Sequence, residues 1–472
     1  MISINIFLIL LLLVNYCISL QLNMSSFISR LPIDSKLLPL PSQMKSNIPG
    51  TWACDTMSRR VVSDIIPRII DDNSAELTRP TSPQRSECLL QLNDLIESLK
   101  CGKTGYLRGI SDAGPDLKEW DAILNSISSD ERNWLDAPWV ISEFYLYRRI
   151  AEAFRFFETG YDPFIKQKFD GLIAALPSVD SIAERLPNLI NEGNSGDISI
   201  ALEIAVQTSL WGNKMDLSLW PASKKEKVVQ VSGSNDDVSE AGKISYGAAL
   251  DLLKPYILDD HTARVVELLK NSKLSNRNNR RIDIVVDNAG YELISDMLLG
   301  HILIELGVAT SITFHTKGHP TFVSDATNED CLGTIDFLKD STNPATKALA
   351  DQLDSHVKNL RFVFVEDLFW CQPTSFWDMP DHIAERIKDS VCVFVKGDAN
   401  YRRLLGEREW DLETNAADIL SYWPVPCCAL RTFKAEIGCG ITKSKQDFAK
   451  TKDSKWLVSG KWGVVQLSRA NN

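Results

Sequence analysis

The amino-acid sequence predicts an α/β fold, in which a doubly wound, mostly parallel sheet domain follows an amino-terminal all-helical domain. Apolar residues recur at helical spacing through the first half of the chain, whereas short apolar runs alternate with helical stretches through the second half. These runs are continuous, as in parallel strands that are buried on both faces. We expect a leader and loose arm over residues 1–48, the helical domain over residues 49–253 and the α/β domain over residues 254–472.

The composition limits the partners of the chain. Its 472 residues are 44% apolar and 24% charged, which is ordinary for a globular protein large enough for two domains. The formal net charge of -11 disfavours a surface that neutralises nucleic-acid phosphates. We therefore expect a small-molecule partner and no nucleic acid.

Residues 1–19 resemble a signal peptide. The apolar run over residues 6–14 is shorter than the roughly 20 residues that span a bilayer, so no stable membrane span is expected. Cys17 and Ser19 are small residues suited to cleavage after Ser19, yet no lysine or arginine precedes the run. Met24, inside the glycosylation sequon that begins at Asn23, is the alternative start of a cytosolic protein.

Cysteine usage bears on the same question. Of the ten cysteines, Cys17 would leave with the leader, and the other nine have no framework spacing. At least one would stay unpaired in an exported monomer. This favours a cytoplasmic or nuclear-cytoplasmic location, while residues 1–19 leave secretion open.

Several stretches of the first half have helical periodicity, namely residues 61–72, 88–99, 139–157 and 164–186. Residues 134–149 are dense in Trp and Tyr and end in Arg148 and Arg149. Aromatic residues at helical spacing more often form core than a site, so we interpret this stretch as core.

The second half contains five strand-like runs, over residues 282–287, 311–317, 361–367, 391–398 and 426–434. The first four end in charged side chains: Asp287, Lys317, Glu366 with Asp367, and Lys396 with Asp398. Any buried strand must end in polar residues somewhere. In open α/β sheets, however, the ligand crevice lies beyond the carboxyl ends of the strands. Four charged ends at one edge therefore favour a site.

The residues at this edge suit metal and phosphate chemistry. Asp287, Asn288 and Asp325 offer the hard oxygen ligands that magnesium, manganese and related cations prefer. Cationic side chains follow the same runs: Lys317, Lys396, Arg402, Arg403, Arg431 and Lys434. A metal beside lysines suits a phosphate group, and a metal-bound water ionises near neutral pH, so hydrolysis is indicated.

Competing motifs are absent from the sequence. There is no HExxH and no GxGxxG, and all six histidines lie between His261 and His382 without ligand spacing. Cys427 and Cys428 are interpreted as strand core rather than nucleophiles, since no histidine lies near them in sequence.

Four motifs lie at or after the ends of these strand-like runs: DNAGYE (287–292), KGHPTFVSD (317–325), KGDANYRRL (396–404) and RTFK (431–434). Together they resemble the damage-control phosphatases, specifically the eukaryotic sugar-phosphate subgroup with the Arg-Thr-x-Lys motif, also called acidic residue methyltransferase-like proteins. WVISEFYLYRRI and the terminal GKWGVVQ (460–466) extend the resemblance over nearly all of the chain after the leader.

The resemblance implies a metal-dependent phosphatase of sugar phosphates such as fructose 1-phosphate and fructose 6-phosphate, with Mn²⁺, Co²⁺, Ni²⁺ or Mg²⁺ as cofactor. It implies that Asp287, Asn288 and Asp325 are the catalytic metal ligands. It also implies substrate-binding residues, which are Glu292, Gly397, Asp398, Asn400, Tyr401 and the phosphate-closing Lys434.

The same resemblance implies an alternative, the S-adenosylmethionine-dependent transfer of a methyl group to protein glutamate carboxylates. The sheet class does not exclude it. Methyl transfer needs neither a metal nor phosphate-binding lysines, whereas hydrolysis of phosphate monoesters is very slow without catalysis and demands both, so the phosphatase is preferred. A non-catalytic binding protein is disfavoured because the ligand and cationic residues are all present.

Overall fold

The computed structural model of the protein describes residues 37–74, 85–212, 253–275 and 277–468. The signal-like residues 1–19, the sequon at Asn23 and the alternative start at Met24 lie outside these ranges. Within the described ranges, no helix has both the length and the apolar character needed to cross a bilayer.

The first half of the chain is helical, as predicted. Its helices are α1 (Trp52–Asp55), continued through a π-helical segment (Thr56–Ile65) into α2 (Ile66–Asp72), then α3 (Arg85–Lys100), α4 (Leu117–Asn125), α5 (Trp139–Ala153), α6 (Phe156–Thr159), α7 (Ile165–Ser195) and α8 (Ser199–Trp211). The aromatic helix α5 is buried along nearly its whole length, so its side chains are core.

The second half forms a seven-stranded sheet. Its strands are β1 (Ile257–Asp260), β2 (Arg281–Val285), β3 (Ser311–Lys317), β4 (Phe362–Asp367), β5 (Val393–Lys396), β6 (Cys427–Thr432) and β7 (Gly463–Leu467), in the order β1-β7-β6-β5-β2-β3-β4. All neighbours are parallel except β6 and β7. This confirms the predicted α/β fold class with its mostly parallel sheet, although β1 and β7 are additions to the five predicted strands.

Helices follow the strands. They are α9 (Thr262–Leu274), α10 (Tyr291–Glu305), α11 (Asn328–Lys339), α12 (Pro344–Lys358), α13 (Asp381–Ile387), α14 (Asp398–Leu404), α15 (Ala416–Ile419) and α16 (Lys443–Lys452). Short 3₁₀ turns complete the described chain at Gly102–Thr104, Lys254–Tyr256, Leu368–Cys371, Phe376–Asp378 and Leu420–Tyr422.

The sheet is buried on both faces, which explains why its strands read as continuous apolar runs. Successive residues of one strand enter different cores: Ile284 packs with α7 to α12, whereas Val285 packs with α1 to α5. Helices of the first half therefore cover both faces of the sheet. The division of the chain into domains at residue 253 stays a prediction.

The register of the sheet aligns the carboxyl ends of neighbouring strands. Val285 lies opposite Val395 of β5, and Lys317 at the end of β3 lies opposite Asp367 of β4. The polar residues that follow these strands consequently reach the same edge of the sheet. The candidate site lies there.

Candidate active site

The segment between β2 and α10 carries the first residues of the site. After Val286 the chain presents Asp287 and Asn288 and then turns at Gly290, whose φ of +72° is a conformation that favours glycine. The turn starts α10, and the first turn of this helix carries Glu292. Three of the predicted residues are thus placed side by side by a single strand-turn-helix unit.

A second loop brings Asp325 to the same place. Asn288 and Asp325 pair as a short antiparallel bridge between their segments. Backbone hydrogen bonds tie the two segments together, from Ala326 N to Asp287 O at 2.8 Å and from Ala289 N to Ser324 O at 2.6 Å. The structure therefore joins the predicted metal ligands, which lie 37 residues apart in sequence, through backbone contacts.

The two aspartates are almost completely buried, with exposed fractions of 5% for Asp287 and 1% for Asp325. Burial raises the pKa of Asp287 well above its ordinary value, and the negative charges of Asp325 and Glu292 raise it further. Burial also raises the pKa of Asp325 to about 6, although the ammonium of Lys317 opposes this shift. The pocket therefore disfavours its own negative charge and would be stabilised by an added cation.

Two carboxylate oxygens of the pocket lack a hydrogen bond from any described residue. They are Asp287 Oδ1 and Asp325 Oδ2, the second of which has only an ion-pair contact, at 3.3 Å, with Lys317 Nζ. A buried acceptor without a donor costs about 1–3 kcal/mol, and more when it is charged. These oxygens and the neighbouring amide of Asn288 form a donor set that fits a hard divalent cation.

The side chain of Asn288 is held in place from both sides. Its Nδ2 donates to Asp287 Oδ2 at 2.7 Å and to Glu292 Oε2 at 2.8 Å, while its Oδ1 accepts from the hydroxyl of Ser324. The other oxygen of Glu292 lies 3.4 Å from Lys396 Nζ. Glu292 thus orients Asn288 in the structure, and its predicted contact with substrate stays a prediction.

The buried lysines Lys317 and Lys396 balance part of the negative charge. Lys396 Nζ donates to Asp296 Oδ1 at 2.7 Å, and Lys317 Nζ donates to Asn400 Oδ1 at 3.1 Å beside its ion pair with Asp325. Four buried carboxylates therefore face two buried ammonium groups: Asp287, Glu292, Asp296 and Asp325 against Lys317 and Lys396. With all of these groups ionised, negative charge exceeds positive charge among them; the half-buried Lys434 offsets part of this excess, and a divalent cation would offset the rest.

Lys434 is the cation that borders the pocket. It is half-buried, and its charge lowers the pKa of Asp287, which places it close to that carboxylate. Other predicted cations are engaged elsewhere: Arg402 pairs with Glu143 and Glu407, and Arg403 donates to backbone carbonyls such as Phe369 O. Among the described residues, no ion pair of Lys434 with a carboxylate is found.

Asp398 fixes the loop that carries Lys434. Its Oδ1 accepts hydrogen bonds from Arg431 Nε at 2.8 Å and from the backbone N of Lys434 at 3.0 Å. The preceding Gly397, with a φ of +83°, packs directly on Asp287: a Cβ atom there would lie 2.0 Å from Asp287 Oδ2. Gly397 is thus required by a close approach of backbone and carboxylate.

Asn400 and Tyr401 lie deeper in the protein. Asn400 Nδ2 donates to Val286 O at 3.1 Å and to Lys396 O at 2.9 Å, so this side chain ties α14 to the end of β2. The hydroxyl of Tyr401 donates to Gln466 Oε1 on β7 at 2.6 Å. The structure groups the other predicted residues around Asp287 and Asp325, and the metal-binding and substrate-binding roles of all of these residues stay predictions.

The helical half supports the loop that carries Asp325, a contact that the sequence did not reveal. Phe322 and Val323 have φ angles of +46° and +68°, which are rare for residues other than glycine. The ring of Phe322 packs against Phe144 and Tyr147 of α5, with centroid distances of 4.7 and 4.9 Å. These aromatic contacts hold a strained turn of the site in place.

The fold and the pocket together define a class of protein, an α/β enzyme with a buried acidic site at the carboxyl edge of a mostly parallel sheet. Residues 57–448 match the Damage-control phosphatase ARMT1-like domain. The chain therefore belongs to the ARMT1-like damage-control phosphatase family, and its class of enzyme is phosphatase. The predicted family is confirmed.

Curated relatives agree with this assignment. The chain is similar to Damage-control phosphatase ARMT1 of Bos taurus, with 32% identity over 368 residues that cover 74% of this chain and 78% of the bovine protein. The Danio rerio protein of the same name is 29% identical over 455 residues, 92% of this chain and 98% of that protein. The Homo sapiens protein is 30% identical over 364 residues, 74% of this chain and 78% of that protein.

Among solved structures, the chain is similar to the crystal structure of a DUF89 family protein from Pyrococcus horikoshii. The identity is 15%, the TM-score is 0.36, and the match covers 76% of this chain and 97% of that chain. A likeness this distant does not bear on the site.

Proposed function

We propose that the protein is a divalent-metal-dependent phosphatase of sugar phosphates such as fructose 1-phosphate and fructose 6-phosphate, acting in metabolite damage control. The observation that carries the proposal is the pair of buried oxygens, Asp287 Oδ1 and Asp325 Oδ2, that accept no hydrogen bond from the described residues. An excess of negative charge among buried carboxylates is unfavourable alone and favourable around a divalent cation.

Asp287, Asn288 and Asp325 would hold the cation, which is Mn²⁺, Co²⁺, Ni²⁺ or Mg²⁺ in this proposal. When bound, such an ion lowers the pKa of a coordinated water toward about 7 and neutralises charge on the phosphate. Asn288 keeps its position because Glu292 and Ser324 fix its amide from opposite sides. The ligand geometry is thus set before substrate arrives, which avoids reorganisation during the reaction.

The remaining roles fall to residues around the rim of the pocket. Lys434 supplies a cation for the phosphate of the sugar ester, and Asp398 holds the Lys434 backbone at the rim. Lys317, buried inside the site rather than at its rim, favours the ionised form of Asp325, since its charge opposes the effect of burial on that carboxyl group. Hydrolysis then adds water across the P–O bond, and the products are inorganic phosphate and the free sugar.

The test uses purified full-length protein that has been stripped of metal by a chelator. Release of phosphate from fructose 1-phosphate and fructose 6-phosphate is measured with and without each of the four metals. We expect turnover to return only when metal is added. Full activity of metal-free protein would contradict the proposal.

The same preparation is assayed in parallel for methyl transfer from S-adenosylmethionine to protein carboxylates. Methyl transfer without phosphate release on any sugar phosphate would favour the alternative activity over the phosphatase.

We further propose that the protein is cytoplasmic or nuclear-cytoplasmic. The nine described cysteines are all free thiols, which supports a reducing compartment. Amino-terminal sequencing of protein from the native cell tests this proposal. A mature terminus at Leu20, or a glycan on Asn23, would overturn it.

A further inference from the structure

The two ends of helix α10 carry different polar clusters. Its first turn carries Glu292 of the acidic pocket, and its last turns carry His301 and Glu305. At about 1.5 Å of rise per residue, Glu292 and Glu305 are roughly 20 Å apart along the helix. Any cluster at the carboxyl end is therefore separate from the pocket described above.

At this end of α10, two imidazoles and a carboxylate converge. His301 Nδ1 lies 2.9 Å from Nε2 of His356, which α12 contributes, and Glu305 Oε1 lies 3.7 Å from the same His356 nitrogen. The donor atoms of the three side chains all lie within 4.8 Å of one another. His301 and His356 are buried, with exposed fractions of 1% and 4%, whereas Glu305 reaches the surface.

We propose that His301, Glu305 and His356 form a second metal site, which binds a zinc-class transition-metal ion and clamps α10 to α12. Two imidazole nitrogens and one carboxylate oxygen are donors that suit zinc, cobalt, nickel or copper rather than magnesium. Because Glu305 lies at the surface, a water molecule can complete a four-coordinate site.

The distances already approach those of a tetrahedral site. With metal-ligand bonds of about 2.0–2.1 Å, two ligand atoms of a tetrahedral ion lie about 3.3 Å apart. The structure has 2.9 Å between the two imidazole nitrogens and 3.7 Å between His356 and Glu305. Adjustments of about 0.4 Å in opposite directions would form these two edges. The third edge, from His301 to Glu305, is within 4.8 Å and would shorten by side-chain rotation of the surface Glu305.

Each imidazole presents one ring nitrogen to the cluster, Nδ1 of His301 and Nε2 of His356. One of the two rings supplies the hydrogen of the bond between them, and on metal binding this hydrogen moves to the other nitrogen of its own ring. Binding then needs no net proton release from the imidazoles, in contrast to a protonated histidine.

The cluster also has a purely structural interpretation, in which the histidines are a hydrogen-bonded pair packed against Phe362. Arg361 adds a competitor, since its NH1 lies 3.7 Å from the same Glu305 oxygen that would bind the metal. The Arg361 side chain is 40% exposed, however, and can move into solvent. A metal ion would link this carboxylate oxygen to the His356 nitrogen 3.7 Å away, a contact that neither the imidazole pair nor the Arg361 ion pair uses.

The test counts metal rather than activity, so it does not depend on the proposed function. Chelator-stripped full-length protein is titrated with Zn²⁺ against a chromophoric zinc indicator, and the variants His301→Asn and His356→Gln are titrated alongside it. Each substitution keeps a polar atom near the one that it removes. We expect each variant to bind one zinc ion fewer per chain than the native protein, and native protein to gain thermal stability with Zn²⁺.

Glu305→Gln is a third variant, which keeps the test valid if a histidine variant fails to fold. Because Glu305 lies at the surface, this substitution should leave the fold intact. Loss of its carboxylate should weaken zinc binding at this site by at least about tenfold. Mutation of residues that only hydrogen-bond to a metal ligand already lowers metal affinity by about that factor. Matched controls are His382→Gln and Glu329→Gln, exposed residues outside the cluster, which should bind as the native protein does. Equal stoichiometry and affinity in the native protein and all three cluster variants would overturn the proposal.

Discussion

The two ends of helix α10 show two different ways to bury polar groups. At its amino end, four carboxylates share a pocket with only two lysines, and two carboxylate oxygens have no hydrogen bond from described residues. At its carboxyl end, His301 and His356 are neutral, hydrogen-bonded to each other and in need of no counter-charge. Both ends offer metal ligands, but only the amino end carries an excess of charge.

This difference separates function from stability. An excess of buried negative charge destabilises the metal-free site and attracts a hard cation, which would in turn bind a phosphate group. A neutral imidazole pair has little field of its own, and an ion bound there would chiefly join two helices. We therefore expect substitutions at the amino end to change turnover and substitutions at the carboxyl end to change stability.

The largest expected effect is that of Asp287→Ala on turnover. Loss of this proposed metal ligand would remove several kcal/mol of charge stabilisation, so kcat on fructose 1-phosphate should fall by at least about 1,000-fold while the protein stays folded. Kinetics, metal content and thermal unfolding are measured on the same preparation, with His382→Gln as the control. An Asp287→Ala protein that binds metal at this end and turns over normally would refute the assignment.

A smaller loss is expected for Lys434→Ala, because it removes a contact to the phosphate and leaves the metal ligands intact. A charge-assisted contact is worth about 1.5–3 kcal/mol, so its loss should lower kcat/KM by roughly 10- to 150-fold. We expect both a higher KM and a lower kcat. The exposed lysine variant Lys443→Ala is the matched control. Unchanged constants in Lys434→Ala would remove this residue from the site.

The pH dependence of stability should have opposite signs at the two ends in metal-free protein. Folding lowers the pKa of His301 to about 3 and that of His356 to about 4. Below the ordinary histidine pKa of about 6.5, these histidines therefore bind protons in the unfolded chain but stay neutral in the folded protein. Their contribution is complete above pH of about 6.5 and falls by up to about 1.4 kcal/mol per pH unit per histidine on acidification. The pKa of Asp325 is raised to about 6, so its contribution falls as the pH rises toward that value.

Both effects can be measured by denaturant unfolding in the presence of a chelator. The measurements cover about pH 4.5 to 7, a range set by those pKa values. His356→Gln should lose less stability on acidification than the native protein, and Asp325→Asn should lose less when the pH is raised. Identical slopes in all three proteins would show that the two ends do not differ in this way.

The smallest expected effect is that of Phe322→Leu, which keeps an apolar side chain and loses the aromatic pairs with Phe144 and Tyr147. Each pair is worth about 0.5–1.5 kcal/mol, so a loss of roughly 1–3 kcal/mol in the free energy of unfolding is expected, together with weaker metal binding at the amino end. Phe337→Leu, which removes a single ring contact with Phe169 on α7, is the control. Metal affinity that changes equally in both variants would mean that the Phe322 turn has no special role in holding Asp325.

Much of the acidic end could be predicted from the sequence. Continuous apolar runs identify strands buried on both faces, and parallel strands place Asp287 and Lys317 at one edge whatever the details of packing. The motifs around these residues identify the family, which the match over residues 57–448 confirms. Strand β1 was missed because half of its four residues are acids, and β7 because its apolar run is short and interrupted by Gln466.

The sequence by itself determined which residues are polar at the ends of buried strands, because the period of a strand or helix is a local property. The tertiary structure alone decided their partners. Lys396 meets Asp296, 100 residues away, and His301 meets His356, 55 residues away, so no local spacing reveals either contact. Whether a buried charge is matched depends on such distant neighbours, and this is why the unmatched oxygens of Asp287 and Asp325 became visible only in the folded chain.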